Sequence, residues 1–171
     1  MEVVTRQEVR HMASFISFIP TPPEDISAFF DLAPLSSSDV VYDLGSGDGR
    51  LLFAALERGA GRAVGVELDP ERINEARIRA ATKGVADRVT FVESDVMDAD
   101  ISGATVVLCY LITTASVALK PKFEAELKAG TRVIMESFPV PGWKPVETRT
   151  EGYKTFYLYT TPPEITTETA P

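Results

Sequence analysis

Short apolar runs alternate with amphipathic segments through most of the chain, and glycine, proline or polar residues separate them. The apolar runs predict strands at residues 40–44, 63–67, 89–93, 104–110 and 131–138. The segments with helical spacing predict helices at residues 50–58, 70–83 and 123–128. Strands and helices in this alternating order predict a parallel sheet with helices on both faces.

The beginning of the domain has its own helix signal. Thr21 and Glu24 have the spacing of a capping box, and Pro22 suits the first position of a helix that would run to about Leu32. Residues 1–19 before this signal form a predicted N-terminal extension.

The last part of the chain changes character. Residues 146–150 and 154–159 alternate in the manner of strands, which predicts an antiparallel hairpin. Residues 161–171 are polar and proline-rich, so we expect a disordered tail. The expected domain therefore covers residues 20–160.

Composition narrows the possible functions. The 171 residues suit one domain, and a net charge of -8 repels phosphate backbones but attracts a basic protein partner. The chain has one cysteine, Cys109, and one histidine, His11, which excludes disulfide frameworks and His-rich or multi-Cys metal sites. No apolar run has membrane-spanning length and no secretory signal is evident, so we expect a cytoplasmic, metal-independent protein without nucleic-acid binding.

A glycine-rich turn joins the first predicted strand to the helix after it. Gly45, Gly47 and Gly49 would let a ligand approach the backbone. Their G-x-G-x-G spacing differs from the G-x-G-x-x-G of dinucleotide-binding enzymes. Asp43, two residues before the first glycine, would repel a pyrophosphate but could accept hydrogen bonds from an ammonium group.

Two further carboxylates follow the next strands. Glu67 ends the second strand and could accept both hydroxyls of a ribose, and Asp95 follows the third and could accept from an adenine amine. Open α/β sheets bind ligands at these carboxyl ends of their strands. Together with Asp43, the acids suit a ligand with an ammonium, a ribose and an adenine, which is S-adenosylmethionine.

In these motifs the chain resembles the class I S-adenosylmethionine-dependent methyltransferases. The resemblance implies a single-domain, Rossmann-like fold with a mostly parallel seven-stranded sheet, an antiparallel C-terminal strand and helices on both faces. It also implies S-adenosylmethionine as cofactor, bound by Asp43, Gly45, Ser46, Gly47, Gly49, Glu67, Leu68, Asp95 and Val96.

A narrower resemblance runs from about residue 20 to 159. The segments that carry it include Pro20-Thr21-Pro22, Val64-Gly65-Val66-Glu67, Tyr110-Leu111-Ile112-Thr113-Thr114, Gly130-Thr131-Arg132-Val133 and Gly142-Trp143. They look like the small archaeal-type protein lysine methyltransferases and their mitochondrial relatives. That family implies Pro20, Thr21 and Pro22 over the cofactor, Tyr110 near the transferred methyl, and a lysine ε-amine of a protein as acceptor. The family often has a tyrosine before the Pro-Thr-Pro run, where this chain has Phe18-Ile19.

Tyr110 is the candidate catalytic residue, and Phe18 is a second candidate for an aromatic channel lining. Such a channel would lower the pKa of an acceptor lysine by desolvation. Enzymes that methylate base or glutamine amines commonly carry an Asn/Asp-Pro-Pro-Tyr/Phe loop, where this chain reads Cys109-Tyr110-Leu111-Ile112. Two alternatives stay open: a methyltransferase for a small molecule, and a noncatalytic protein that binds S-adenosylmethionine.

Overall fold

A computed structural model describes residues 21–110 and 113–166 of the protein. Four helices are described: α1 (Pro23–Leu32), α2 (Arg50–Glu57), α3 (Pro70–Thr82) and α4 (Thr113–Glu126). The strands are β1 (Val40–Leu44), β2 (Arg62–Glu67), β3 (Val89–Glu93), β4 (Val106–Cys109), β5 (Arg132–Glu136), β6 (Trp143–Lys144), β7 (Glu147–Glu151), β8 (Lys154–Thr160) and β9 (Glu164–Ile165).

Seven of these strands form one sheet in the order β3-β2-β1-β4-β5-β8-β7. The first five are parallel neighbours, while β8 inserts antiparallel between β5 and β7. The chain runs outward from β1 to β3 on one side and then returns to continue from β4 on the other. The topological switch point therefore lies between β1 and β4, where open α/β sheets form their ligand crevice. This topology confirms the predicted fold class.

Hydrophobic cores cover both faces of the sheet. Along β4, Val106 and Leu108 belong to one core, and Val107 and Cys109 belong to the other. This alternation is the two-residue period of a strand with both faces covered, and all four residues are buried. The first core includes Phe29 of α1, whose ring meets Phe156 edge-to-face with centroids 5.0 Å apart.

The start of α1 differs from the predicted capping box. Pro22 is the N-cap residue, Pro23 begins the helix, and no side chain makes a cap hydrogen bond. Thr21 therefore does not cap the helix. Its carbonyl oxygen instead accepts a hydrogen bond from the Arg50 side chain at 3.0 Å.

The fourth helix is longer than predicted, since it begins at Thr113 and passes through Pro121. Proline normally breaks a helix because it cannot donate to the carbonyl four residues earlier. Here that carbonyl belongs to Val117, a residue 47% exposed, so water can reach this part of the helix.

The predicted disordered tail contains a strand. Glu164 and Ile165 pair with Lys144 and Trp143 in a two-stranded sheet, so the expectation of disorder from residue 161 is wrong for this pair. Apolar contact does not explain the pairing, because Ile165 is 58% exposed. An ion pair between Lys144 and Glu164, at 2.8 Å, accompanies it.

Candidate active site at the carboxyl edge of the sheet

The strand ends bring most of the predicted site residues to one edge of the sheet. Leu44, the last residue of β1, lies in register with Val66 of β2 and with Cys109 of β4. Glu67 is the register partner of Glu93, at the end of β3. The glycine turn, Glu67, Tyr110 and the turn after β3 therefore follow adjacent strands at this carboxyl edge.

The glycine turn, residues Gly45–Gly49, adopts a conformation that other residues rarely take. Gly45, Gly47 and Gly49 have φ angles of 86°, 52° and 79°, in the left-handed region that favours glycine. A side chain on Gly49 would also place its Cβ 3.1 Å from the Phe53 ring. The backbone N–H groups of Gly45 and Ser46 donate to the carbonyl oxygen of Val66 at 2.8 and 3.0 Å, which fixes the turn against β2.

Glu67 holds the same turn from the tip of β2. Its Oε2 accepts the backbone N–H of Gly47 at 2.8 Å, and its Oε1 accepts those of Leu68 and Asp69 at 2.9 and 3.0 Å. The carboxylate is buried. Each oxygen has two lone pairs, so Oε2 can still accept one further bond. Glu67 thus shapes the turn, a role that the sequence does not indicate, and its predicted role at a ribose stays a prediction.

Asp43 places a buried carboxylate beneath the turn. Burial, together with the nearby charges of Glu67 and Asp48, raises the pKa of Asp43 to about 7. No hydrogen bond from another described residue contributes to the pKa of this carboxylate. A cationic group bound here would relieve the unfavourable burial of the charge.

Two arginines neutralise Asp48, the acid inside the glycine turn. Arg50 and Arg79 each place a guanidinium nitrogen 2.7 Å from its Oδ2. Burial alone would raise the pKa of Asp48, but the hydrogen bonds and charge of Arg50 and the charge of Arg79 hold it below its ordinary value. Arg50 also donates to the carbonyl oxygen of Thr21, so it ties the glycine turn to the start of α1.

A second buried polar atom belongs to the turn itself. Ser46 Oγ is buried and has no hydrogen-bond partner among the described residues. It packs against Gly65 of β2, where an added Cβ would lie 2.5 Å from this oxygen. The absence of a side chain at Gly65 therefore makes room for the Ser46 hydroxyl.

The residues predicted to bind the adenine of the cofactor lie at the carboxyl ends of β2 and β3. Leu68 is an apolar residue 52% exposed to solvent. Asp95 Oδ1 accepts the backbone N–H of Met97 at 2.9 Å, and Val96 packs partly buried against the second core. The backbone of Ser94 donates to the carbonyl oxygen of Glu67 at 3.0 Å, which joins the two tips.

Tyr110 follows β4 and is half-buried. The ammonium of Lys154 lies 5.1 Å from the centroid of its ring. Lys154 Nζ also lies 2.6 Å from Asp25 Oδ2 and 2.7 Å from Glu136 Oε1. Burial raises the pKa of Tyr110, as does the charge of Glu136, while Lys154 lowers it.

The interpretation from sequence missed five charged residues around this site: Asp25, Arg50, Arg79, Glu136 and Lys154. Arg50 stands next to the glycine turn, which is a local signal for a role there. Lys154 and Asp25 are 129 residues apart, and no local pattern connects them. Pro20, Phe18 and His11 lie outside the described residues.

The remaining candidates have structural roles. Cys109 is fully buried, and burial raises the pKa of its thiol. Trp143 packs against Phe123 and Tyr159. Within residues 21–110 and 113–166, no group of three or more His, Cys, Asp or Glu residues could hold a metal ion. No helix in the same described part is long and apolar enough to span a membrane.

Comparison with known structures agrees with this arrangement. An RNA methyltransferase from Salinibacter ruber, crystallised with S-adenosyl-L-homocysteine, superposes with a TM-score of 0.83 and 39% identity over 88% of this chain and 98% of that one. A ribosomal protein L11 methylase from Lactobacillus delbrueckii subsp. bulgaricus shares the fold with a TM-score of 0.68, 15% identity and coverage of 78% and 74%. The fold and the edge that carries the glycine turn define a class I methyltransferase.

Within this class, the comparisons also identify the family of the chain. The chain belongs to the family described as "ANTKMT methyltransferase domain", which matches residues 43–147. A protein-lysine N-methyltransferase of Saccharolobus islandicus (strain REY15A) is 43% identical over 77% of this chain and 83% of its own length. The adenine nucleotide translocase lysine N-methyltransferase of Mus musculus is 35% identical over 70% of this chain, which spans 52% of that relative's length. Both of these relatives are named as lysine N-methyltransferases.

Proposed function

We propose that this protein transfers a methyl group from S-adenosylmethionine to the ε-amine of a lysine in a protein substrate. The single observation that carries the cofactor assignment is Asp43, a buried carboxylate that accepts no hydrogen bond from the described residues and has a pKa raised to about 7. An ammonium group is the partner that such a carboxylate lacks. The named lysine methyltransferases among the relatives support the acceptor.

The residues present fit this cofactor. Asp43 and the glycine turn would hold its methionine part, because the left-handed glycines leave the backbone open to close approach. Glu67 would accept from its ribose, and Leu68, Asp95 and Val96 would line the adenine. Thr21 and Pro22 would cover it, since Arg50 ties this segment to the turn. Pro20 belongs to the same proposal and lies outside the described residues.

S-adenosylmethionine supplies an activated methyl group on a sulfonium, so the protein needs chiefly to align the acceptor and exclude water. Tyr110 stands at the end of β4, beside the strand that leads into the glycine turn. Its half-buried ring can pack against the aliphatic stem of an incoming lysine. Desolvation beside this ring would lower the pKa of the acceptor amine and favour its neutral, nucleophilic form.

The acidic surface favours a protein over RNA as the acceptor. The net charge is -8, which opposes binding to a phosphate backbone even though one structural neighbour is named an RNA methyltransferase. The same charge favours a basic protein substrate. This preference, and the cytoplasmic location expected from the sequence, stay predictions.

An acceptor comparison tests the proposed function. Purified protein would be incubated with methyl-labelled S-adenosylmethionine and, in separate reactions, with lysine-rich proteins, RNA, or the small-molecule fraction of a cell extract. We expect label in protein alone. Label confined to RNA or to small molecules would overturn the acceptor assignment. Cofactor binding without transfer to any acceptor would favour a noncatalytic binding protein.

A further inference from the structure

The surroundings of Lys154 form a buried charge cluster that the cofactor site does not use. Asp25 of α1, Glu136 at the end of β5 and Lys154 at the start of β8 are all buried. The ammonium of Lys154 donates a hydrogen bond to Asp25 at 2.6 Å and forms an ion pair with Glu136 at 2.7 Å. These three residues form the Lys154 cluster.

The Lys154 cluster contains more acidic than basic groups. Two carboxylates against one ammonium leave a net charge of −1 when all three are ionised. Glu136 Oε2 is completely buried and accepts no hydrogen bond from any described residue. Burial raises the pKa of Glu136, while the hydrogen bond and charge of Lys154 lower it. Burial of a carboxylate whose charge is not fully compensated destabilises the folded protein. The presence of a second carboxylate in this cluster therefore calls for an explanation.

The position of the cluster relates it to the reaction. Cys109 of β4 and Met135 of β5 are register partners, so Tyr110 and Glu136 follow them side by side at the carboxyl edge. On the other side of β4, Leu44 leads into the glycine turn. At about 4.8 Å between strands, Glu136 lies about 10 Å from that turn, with Tyr110 between them. The cluster therefore lies beyond Tyr110, on the side opposite the proposed cofactor site.

We propose that the Lys154 cluster is the anionic wall of the acceptor site, and that it stabilises the positive charge of the acceptor nitrogen across the Tyr110 ring. This inference rests on the proposed function. The neutral acceptor nitrogen forms a bond to the methyl carbon while the bond from that carbon to sulfur breaks and sulfur keeps the electron pair. The positive charge thereby moves from sulfur to nitrogen, and the methylated ammonium later loses a proton to water.

A fixed negative charge near the acceptor nitrogen favours the movement of positive charge from sulfur to nitrogen. In a site of low dielectric constant, a preorganised negative charge stabilises a developing positive charge more than water does. The groups that interact with Glu136 are Asp25, Lys154 and Tyr110. Tyr153, at the exposed hairpin tip, approaches the Lys154 side of the cluster, with its ring centroid 6.0 Å from Lys154 Nζ. Glu136 acts here as a positioning residue, since Tyr110 stands between it and the acceptor.

The substitution Glu136→Gln removes the charge and keeps the shape. Asp39→Asn is the matched control, because Asp39 is a buried carboxylate that pairs with Arg132 at 2.6 Å at the opposite end of β5. We expect Glu136→Gln to lower kcat by about tenfold or more, with the cofactor Kd changed less than about twofold. Asp39→Asn should leave kcat within about twofold, whatever it does to the melting temperature.

A binding experiment distinguishes an electrostatic effect of Glu136 from an effect of its substitution on folding. Peptides from the labelled acceptor would carry either trimethyllysine or its neutral tert-butyl isostere at the methylated position. We expect the wild-type protein to prefer the cationic peptide, and Glu136→Gln to lose about tenfold of that preference while binding the neutral peptide unchanged. If Glu136→Gln does not fold, Asp25→Asn removes the same charge from the other side of Lys154.

The outcomes distinguish the two proposals. A wild-type protein that labels no lysine overturns the proposed function, and this inference with it. A wild-type protein that methylates lysine, with a Glu136→Gln variant of equal kcat and equal preference for the cationic peptide, overturns this inference alone. Equal weakening of both peptides would show that the Lys154 cluster only holds α1 against the sheet, and would also overturn it.

Discussion

The Oε2 atom of Glu67 accepts the backbone N–H of Gly47 at 2.8 Å, which joins the tip of β2 to the middle of the glycine turn. The other oxygen of the same carboxylate accepts two N–H groups at the start of the following loop. One buried side chain therefore fixes two loops that the proposed cofactor would contact. The shape of the site depends on Glu67 before any ligand arrives.

Replacement of Glu67 should consequently weaken both the fold and cofactor binding. We expect Glu67→Ala to lower the free energy of unfolding by about 2 kcal/mol or more, because buried N–H groups lose their acceptor. Cofactor affinity should fall by a further 1–3 kcal/mol, about the value of hydrogen bonds to a charged group. Calorimetric titration and thermal melting measure the two effects. Glu93→Ala, at the exposed register partner, is the control, and equal behaviour of the two variants would contradict this role.

Arg50 and Arg79 offer a matched pair of substitutions, since each bonds Asp48 but only Arg50 reaches Thr21. If Arg50 positions the segment that covers the cofactor, Arg50→Ala should weaken cofactor binding by about tenfold, and Arg79→Ala by much less. Titration of both variants with S-adenosylmethionine decides the point. Similar losses in the two would show that only the charge of Asp48 matters.

Asp43 predicts a pH dependence of cofactor binding. Its pKa is raised from 3.8 to about 7 in the free protein, so the folded state favours the protonated form and loses stability as the pH rises towards 7. A bound ammonium favours the ionised form instead, so affinity should increase from mildly acidic pH up to about 7. Titrations and melts over this range measure both trends.

The substitution Asp43→Asn should abolish both trends. Without cofactor, this variant should melt at a higher temperature than the wild type above about pH 7, because no buried charge remains at this position. Its cofactor affinity should be lower and independent of pH over the same range. An affinity of the wild type that stays flat through this range would contradict the assignment of Asp43 to an ammonium.

Tyr110 should affect transfer more than cofactor binding. If its ring orients the acceptor as proposed, Tyr110→Ala should lower kcat by about tenfold or more, with a smaller change in cofactor affinity. Tyr110→Phe separates the ring from the hydroxyl: a near-normal rate implicates the ring, and a large loss implicates the hydroxyl. A folded Tyr110→Ala enzyme with full activity would show that the residue only packs against the core.

Most of the sheet could be predicted from the sequence, because strand period and length are local properties. β1 and β3 have the predicted bounds, and the hairpin of β7 and β8 lies where alternation placed it. The predicted helix at residues 123–128 covers only the last part of α4, which begins at Thr113 and continues through Pro121. A proline inside a helix gives no local signal that the helix continues across it. The pairing of β9 with β6 could not be predicted, because strands of two residues are too short to show an alternation of apolar and polar residues.

The residues of the candidate site also differ in whether the sequence could predict them. The glycine turn and the acids at successive strand tips are visible in sequence, since each stands at a fixed offset from a strand. The contacts of Asp25 with Lys154, and of Arg50 with Thr21, join residues 129 and 29 positions apart. Only the folded chain brings such residues together, so no spacing rule could have paired them.

The most direct test of the account identifies the methylated atom. The protein would be incubated with S-adenosylmethionine and a basic protein acceptor, at low and high salt, and the product digested and sequenced by tandem mass spectrometry. We predict ε-N-methyllysine as the modified residue, formed less readily at high salt because screening weakens attraction to an acidic enzyme. Methyl groups found only on other side chains, on RNA or on small molecules would contradict the account.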